Sequence, residues 1–262
     1  MRVVDGHVHV GSWAVEGFGG RATRLSDAVA LYRGLGFAGA LVTTTDRADN
    51  AGLLADLRAH VGPPVLRLAW WVDPIAPGAL AALEAALPEV AALKIHPSFL
   101  RRPVTDLAFV PFLELARTAG LPVVLHCGRW QEVAGWALAL AAAERHPEVR
   151  FVLGHLGGDE PPLARGTVAA LRERRLPNVW LGTESVRQYW VVQEAADTLG
   201  AARLVFGSDY NLNHPTAFRS VIDALDLSDD DRARVLGGNL DDLVPPDRRF
   251  FGPSAAAAAG SF

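Results

Sequence analysis

Hydrophobic and polar positions along this chain follow two alternating rhythms. Short runs rich in Val, Leu and Phe recur between longer stretches in which Ala and Leu return at helical spacing. The short runs predict strands at 2–9, 38–45, 65–72, 90–96, 122–127, 149–155, 178–183 and 203–208. The longer stretches predict helices at 26–35, 48–60, 77–87, 107–119, 133–146, 164–175, 188–199 and 215–225. The runs VVLH, FVLGH and LVFGSD are almost wholly apolar, which suits parallel strands buried on both faces. Eight strands alternating with eight helices predict an α/β fold, either a closed (β/α)8 barrel or a long doubly wound sheet.

Punctuation residues support the boundaries. Ser26 and Asp27 are candidates to cap the first helix, and Gly34 and Gly36 to close it. Gly120-Leu121-Pro122 stops the fourth helix before a strand, and Ser228 with the Asp229–Asp231 run opens short extra helices within 226–243. No linker divides the chain. The expected organisation is one barrel over 1–244, followed by a C-terminal tail, 245–262, whose low-complexity PSAAAAAGSF predicts partial disorder.

Length narrows the fold. A chain of 262 residues is what one TIM barrel of about 250 residues would use. A net charge of -4 argues against nucleic acid as a partner. No uncharged apolar window approaches about 18 residues, so no membrane partner is expected. No basic-then-apolar leader is visible, and Cys127 is the only cysteine, so a cytoplasmic protein acting on a small molecule is expected.

The candidate chemistry lies at the strand ends. Five of eight histidines fall within or at the end of a predicted strand: His7 and His9 on the first, His96 on the fourth, His126 on the fifth and His155 on the sixth. Asp209 ends the eighth. In a TIM barrel these ends build the active site, so the polar groups converge on one mouth. His7 and His9 stand at i and i+2, on the same face of a strand. Neutral imidazoles with a carboxylate suit a divalent metal, Zn2+ first, with Mn2+ or Fe2+ as alternatives. An unpaired buried Asp would otherwise cost several kcal/mol.

The segments DGHVHVG, LKIHP, VVLHCG, FVLGHLGG and FGSDY resemble the motifs of the amidohydrolase superfamily. Within it they are most similar to the amidohydrolase 2 group, which includes aminocarboxymuconate-semialdehyde decarboxylase. The resemblance runs from residue 2 to about 244 and ends on GGNLDDL. It implies a (β/α)8 TIM barrel of the metal-dependent hydrolase type and is compatible with a homodimer. It implies His7, His9, His126 and Asp209 as metal ligands, Asp209 also as proton shuttle, and His155 as the histidine that polarises substrate or water. Lys94 and His96 share a face and are candidates for a second metal, through a carbamylated Lys94, or for substrate contact. Asn211 departs from the family, which often has Pro after SDY.

Two reactions follow from such a site. A metal lowers the pKa of water toward about 7, Asp209 takes the proton, and His155 bonds a developing oxyanion, giving hydrolysis of an amide, ester or lactone in a small cyclic or carboxylated substrate. The alternative is non-oxidative decarboxylation of a small aromatic or unsaturated acid. A barrel that binds metal or ligand without turnover is a further alternative. Trp13, Trp71, Arg129, Trp130 and Tyr210 are substrate-binding candidates on the mouth loops, and Glu184 ends the seventh strand there. Cys127 follows His126 on the strand, which predicts a buried packing residue rather than a nucleophile. No glycine-rich phosphate loop follows the first strand, which argues against the doubly wound alternative.

Overall fold

The apolar runs form a parallel sheet of eight strands. In the computed structural model, which describes residues 1–251, these are β1 Val4–His9, β2 Gly39–Thr43, β3 Val65–Trp71, β4 Val90–Ile95, β5 Val123–Leu125, β6 Phe151–Leu153, β7 Val179–Gly182 and β8 Leu204–Val205. Each pairs in parallel with the next in sequence order. The seam between β1 and β8 is drawn together by Gly6 N–H donating to Phe206 O at 2.9 Å, Asp209 N–H to His7 O at 3.0 Å, and a bridge between Val8 and Tyr210. The sheet is a nearly closed (β/α)8 barrel, and the doubly wound alternative is excluded.

Helices cover the outside. They run Leu25–Gly34, Asn50–Ala59, Ala79–Ala86, Val110–Ala119, Trp136–Arg145, Pro161–Arg174, Tyr189–Leu199 and Pro215–Asp223. The fourth ends on Gly120 at φ 63, a left-handed stop that glycine adopts without steric cost. The first helix corrects one expectation. Its cap is Arg24, with no side-chain capping bond, so Ser26 and Asp27 lie inside its first turn, where Asp27 pairs with Arg24. Ser228 does cap the helix that follows it, accepting from Asp231 N–H. No helix among the described residues is long and apolar enough to cross a membrane.

Two apolar layers result. Outward strand residues such as Val42, Leu93, Val123, Leu153 and Phe206 pack against the helices. A second cluster, Val4, Leu41, Ala69, Ala92, Val124, Val152 and Val205, takes one residue from each of seven strands and fills the barrel's lower interior. Leu240, Leu243, Val244 and Phe250 close its base. Phe250 is held by its N–H on Asp241 Oδ1, and Arg67 reaches the carbonyls of Arg248 and Arg249. The tail expected over 245–262 is corrected in its first part, since 245–251 pack against the barrel base with Phe250 buried, while 252–262 lie outside the described residues.

The interior alternation matters for the site. Ala92 and Lys94, and likewise Val124 and His126, are two residues apart and share the inward face. On β1, Val4 and His7 differ by three, yet Val4 fills the lower interior and His7 lines the mouth. An irregularity in the β1–β2 pairing between Asp5 and Val8 provides the change of parity.

Candidate active site

The C-terminal strand ends bring together His7, His9, Lys94, His96, His126, His155, Glu184 and Asp209. All but the half-buried His126 are under 10% exposed. His155, Ser185 and Asp209 sit at φ 58, 61 and 63, in the left-handed region that non-glycine residues avoid. Each such conformation costs about 1–3 kcal/mol, so the surrounding bonds must hold these three residues in place.

Those bonds fix the imidazole tautomers. His7 Nδ1 lies 2.6 Å from Glu184 Oε1, and His9 Nδ1 lies 2.7 Å from the Thr44 carbonyl. A carboxylate and a carbonyl only accept, so both Nδ1 atoms carry the proton and both Nε2 atoms present bare lone pairs. These two Nε2 atoms are 3.1 Å apart, with Asp209 Oδ1 at 3.7 Å from the first and 3.5 Å from the second. Three acceptors thus converge without a proton between them. Their ligand atoms lie within 4.8 Å of one another, which fits a divalent cation with nitrogen and oxygen donors.

The second pair obeys the same logic. His155 Nδ1 lies 3.0 Å from the Glu184 carbonyl, so Nδ1 holds its proton and Nε2 accepts from His126 Nδ1, also at 3.0 Å. His126 is left with a bare Nε2. A Cβ at Gly128 would stand 2.9 Å from that atom, so glycine keeps it uncovered. His126 stays outside the three-residue group in this geometry: it turns toward His155 and stacks on His96 at 3.7 Å between ring centroids.

Burial sets the charges. Desolvation, aided by the Lys94 ammonium, holds His7, His96 and His126 well below the ordinary imidazole range and lowers His9 to about 4. These histidines are therefore neutral and ready as ligands. Burial opposes the ionisation of Asp209. Any positive charge on the imidazoles of His7, His155 and His9, together with the Ser185 hydroxyl 2.8 Å from Oδ2, works against burial and lowers the carboxyl from its ordinary value. Burial also lowers Lys94 to about 8, against Glu184 and Asp209. Its Nζ lies 3.0 Å from His7 Nε2. Cys127 is pushed up to about 12 by burial, which removes the thiolate a nucleophile would need.

Above these groups opens a pocket of about 390 Å3. Trp13, Phe18, Phe99 and Trp130 form much of its wall. Of the five substrate-binding candidates, Trp13, Arg129 and Trp130 line it and two do not. Trp71 is buried behind His96, their rings stacked at 5.5 Å. Tyr210 turns to the core beside Tyr32. Arg129 is engaged by Asp159 and Glu160.

Glu184 is the residue whose role the sequence left open. One side of it holds His7 and its backbone holds His155. Cβ atoms at Gly154, Gly182 and Gly207 would fall 2.8, 2.3 and 3.1 Å from its carboxylate oxygens, so inward glycines at three strand ends make its cradle. That glycine triplet was the available signal. Ser185, Phe18 and Phe99 had none.

Comparison with known proteins places the chain in a family. The family model described as Amidohydrolase (Amidohydro_2) matches residues 4–239. No curated protein matches. Among solved structures, 5-carboxyvanillate decarboxylase from Sphingomonas paucimobilis is similar at 16% identity and TM-score 0.70, over 92% of this chain and 98% of that one. A dihydroxybenzoic acid decarboxylase from Polaromonas sp. with bound manganese aligns at 16% identity and 0.70, over 92% and 96%. An amidohydrolase from Burkholderia multivorans with bound zinc aligns at 18% and 0.74, over 94% and 100%. At these identities the structural likeness speaks for the barrel alone, whereas the family match runs from β1 to the start of the helix that closes the barrel base: the chain belongs to the amidohydrolase family.

Proposed function

We propose that His7, His9 and Asp209 hold one divalent cation, with His126 as a fourth donor through its bare Nε2, and that the enzyme decarboxylates a small, flat, unsaturated carboxylic acid. The observation that carries this reading is an aromatic, largely apolar wall standing directly over two neutral imidazole acceptors and a carboxylate. A cation there would supply Lewis-acid polarisation of substrate oxygens and anchor the carboxylate. Manganese and zinc in the two relatives above support a divalent metal and leave the choice between them open.

The residues of the chain do the rest. Trp13, Phe18, Phe99 and Trp130 hold a planar ring and thin the water around the carboxylate. Asp209, ionised and fixed by Ser185, accepts a proton from a neighbouring substrate hydroxyl and returns it to the ring carbon. The bond from that carbon to the carboxylate breaks, its electron pair stays on the carbon that takes the proton, and CO2 leaves. His155 Nε2 accepts from His126 Nδ1 at 3.0 Å, so in this geometry it is not the donor that an oxyanion would need.

Hydrolysis is the second reading. It is favoured by the position of the Asp209 carboxylate beside the Nε2 atoms of His7 and His9, where it would accept a proton from water held on a cation. The deciding experiment gives metal-loaded protein a panel of hydroxybenzoic acids, lactones and amides. CO2 release from an acid, with no ring opening, is the expected result. Proton release from a lactone or amide without CO2 would replace decarboxylation by hydrolysis, and metal binding without any turnover would leave a binding barrel.

A further inference from the structure

The charges around the pocket narrow the substrate further, on the reading that it is a carboxylic acid. At the floor, a cation held by His7, His9 and Asp209 would take one substrate carboxylate. At the rim, Arg129 is the only Lys or Arg among the residues lining the pocket. Arg129 extends from the loop after β5, while Asp159 and Glu160 come from the loop after β6. Its NH2 group lies 3.0 Å and its Nε 3.4 Å from the Asp159 carboxylate, and Nε is 3.2 Å from Glu160 Oε1. The lone rim cation is therefore already matched by two carboxylates, and Asp159 itself faces the pocket. The three-residue cluster of Arg129, Asp159 and Glu160 thus carries one net negative charge, and Trp13, Phe18, Phe99 and Trp130 form much of the remaining wall.

We propose that this site accepts substrates with a single anionic group, and that the Asp159–Arg129–Glu160 cluster rejects a second carboxylate at the distal end. A diacid would have to displace Asp159 and Glu160 from Arg129, leaving two carboxylates unpaired beside its own. An apolar substituent instead packs on Phe18, Phe99 or Trp130. A hydrogen-bond donor meets the Asp159 carboxylate.

Two probes that differ by one carboxylate test this: 2-hydroxybenzoate and 4-hydroxyisophthalate. Their dissociation constants are measured calorimetrically on metal-loaded protein. The expected result is at least tenfold tighter binding of the monoacid. The double substitution D159N/E160Q, which frees Arg129, should lower that ratio at least fivefold, and added salt should lower it in the unsubstituted protein by screening the rim. Equal or tighter binding of the diacid, or a ratio that neither the substitutions nor salt move, overturns this inference alone. Failure of both acids to bind overturns the carboxylic-acid reading of the site, and the inference with it.

Discussion

Glu184 Oε1 lies 2.6 Å from Nδ1 of His7, with both side chains at most 3% exposed. The same residue's backbone carbonyl receives His155 Nδ1 at 3.0 Å. One residue thus sets the tautomer of two imidazoles of the candidate site. Partners of this kind typically contribute 10- to 100-fold to metal affinity. Glu184→Gln should therefore weaken Zn2+ or Mn2+ binding by about 10- to 100-fold while the barrel still folds. Equilibrium dialysis against a competing chelator reads the affinity, and circular dichroism the fold. Unchanged affinity in a folded variant would remove Glu184 from the site's construction.

His155 and His7 should separate cleanly. His7 Nε2 faces His9 Nε2 and Asp209 Oδ1, with Lys94 Nζ also 3.0 Å away, whereas His155 Nε2 faces His126 Nδ1. His155→Ala should retain bound metal and lose about 10^2- to 10^4-fold in turnover, the usual range for a positioned proton-handling group. His7→Ala should lose the metal itself. Metal content by plasma mass spectrometry, measured beside activity, distinguishes the two. A metal-free His155→Ala protein would reassign that histidine as a ligand.

The metal-stripped protein should be acid-labile. His9 has its folded pKa depressed from 6.5 to about 4, so the unfolded chain takes up the proton first as pH falls. Its contribution is fully present above 6.5 and is lost as pH falls through about 4, amounting to about 3 kcal/mol. His7, His96 and His126 act in the same direction. Asp5, raised to about 6 by burial, acts in the opposite direction, gaining stability as pH falls from about 6 to 3.8. One carboxyl against four imidazoles cannot reverse the sign. Urea unfolding of the stripped protein should show a lower midpoint at pH 5 than at pH 7, and an equal or higher midpoint would contradict the neutral buried histidines.

Asn211 should govern substrate affinity more than turnover. Its side chain accepts from Trp13 Nε1 at 2.7 Å and donates to Thr23 Oγ1 at 2.9 Å. It thereby ties the antiparallel ribbon formed by Gly11–Ser12 and Ala22–Thr23 to the segment after Asp209. Trp13 in turn packs edge-on against His9, ring centroids 4.7 Å apart. Losing a buried hydrogen bond of this kind costs about 1–3 kcal/mol. Asn211→Ala should raise KM by about tenfold, the lower part of that range, with kcat nearly kept. A fall in kcat at unchanged KM would assign Asn211 to Asp209 rather than to the pocket wall.

The barrel and its order of polar residues were legible in the sequence because both depend on local periodicity. Apolar runs separated by helical stretches give strand, helix and connection, and a residue at each run's end must lie at the mouth once the sheet curls. His7 and His9 share a face for the same local reason. The tertiary structure decided what periodicity cannot express. The irregularity between Asp5 and Val8 changes the parity of β1, so that Val4 fills the base while His7 and His9 reach the top. Glu184 acquired its role from a histidine 177 positions away. The tautomers of His9 and His155 depend on the carbonyls of Thr44 and Glu184, backbone atoms that any residue would supply. Trp71 and Tyr210, both placed near the mouth by sequence, were turned away from the pocket by packing against His96 and Tyr32. Residue type and spacing determine which groups arrive at the mouth. Which of them meet, and which atom each presents, is set by long-range contacts that a linear pattern does not contain.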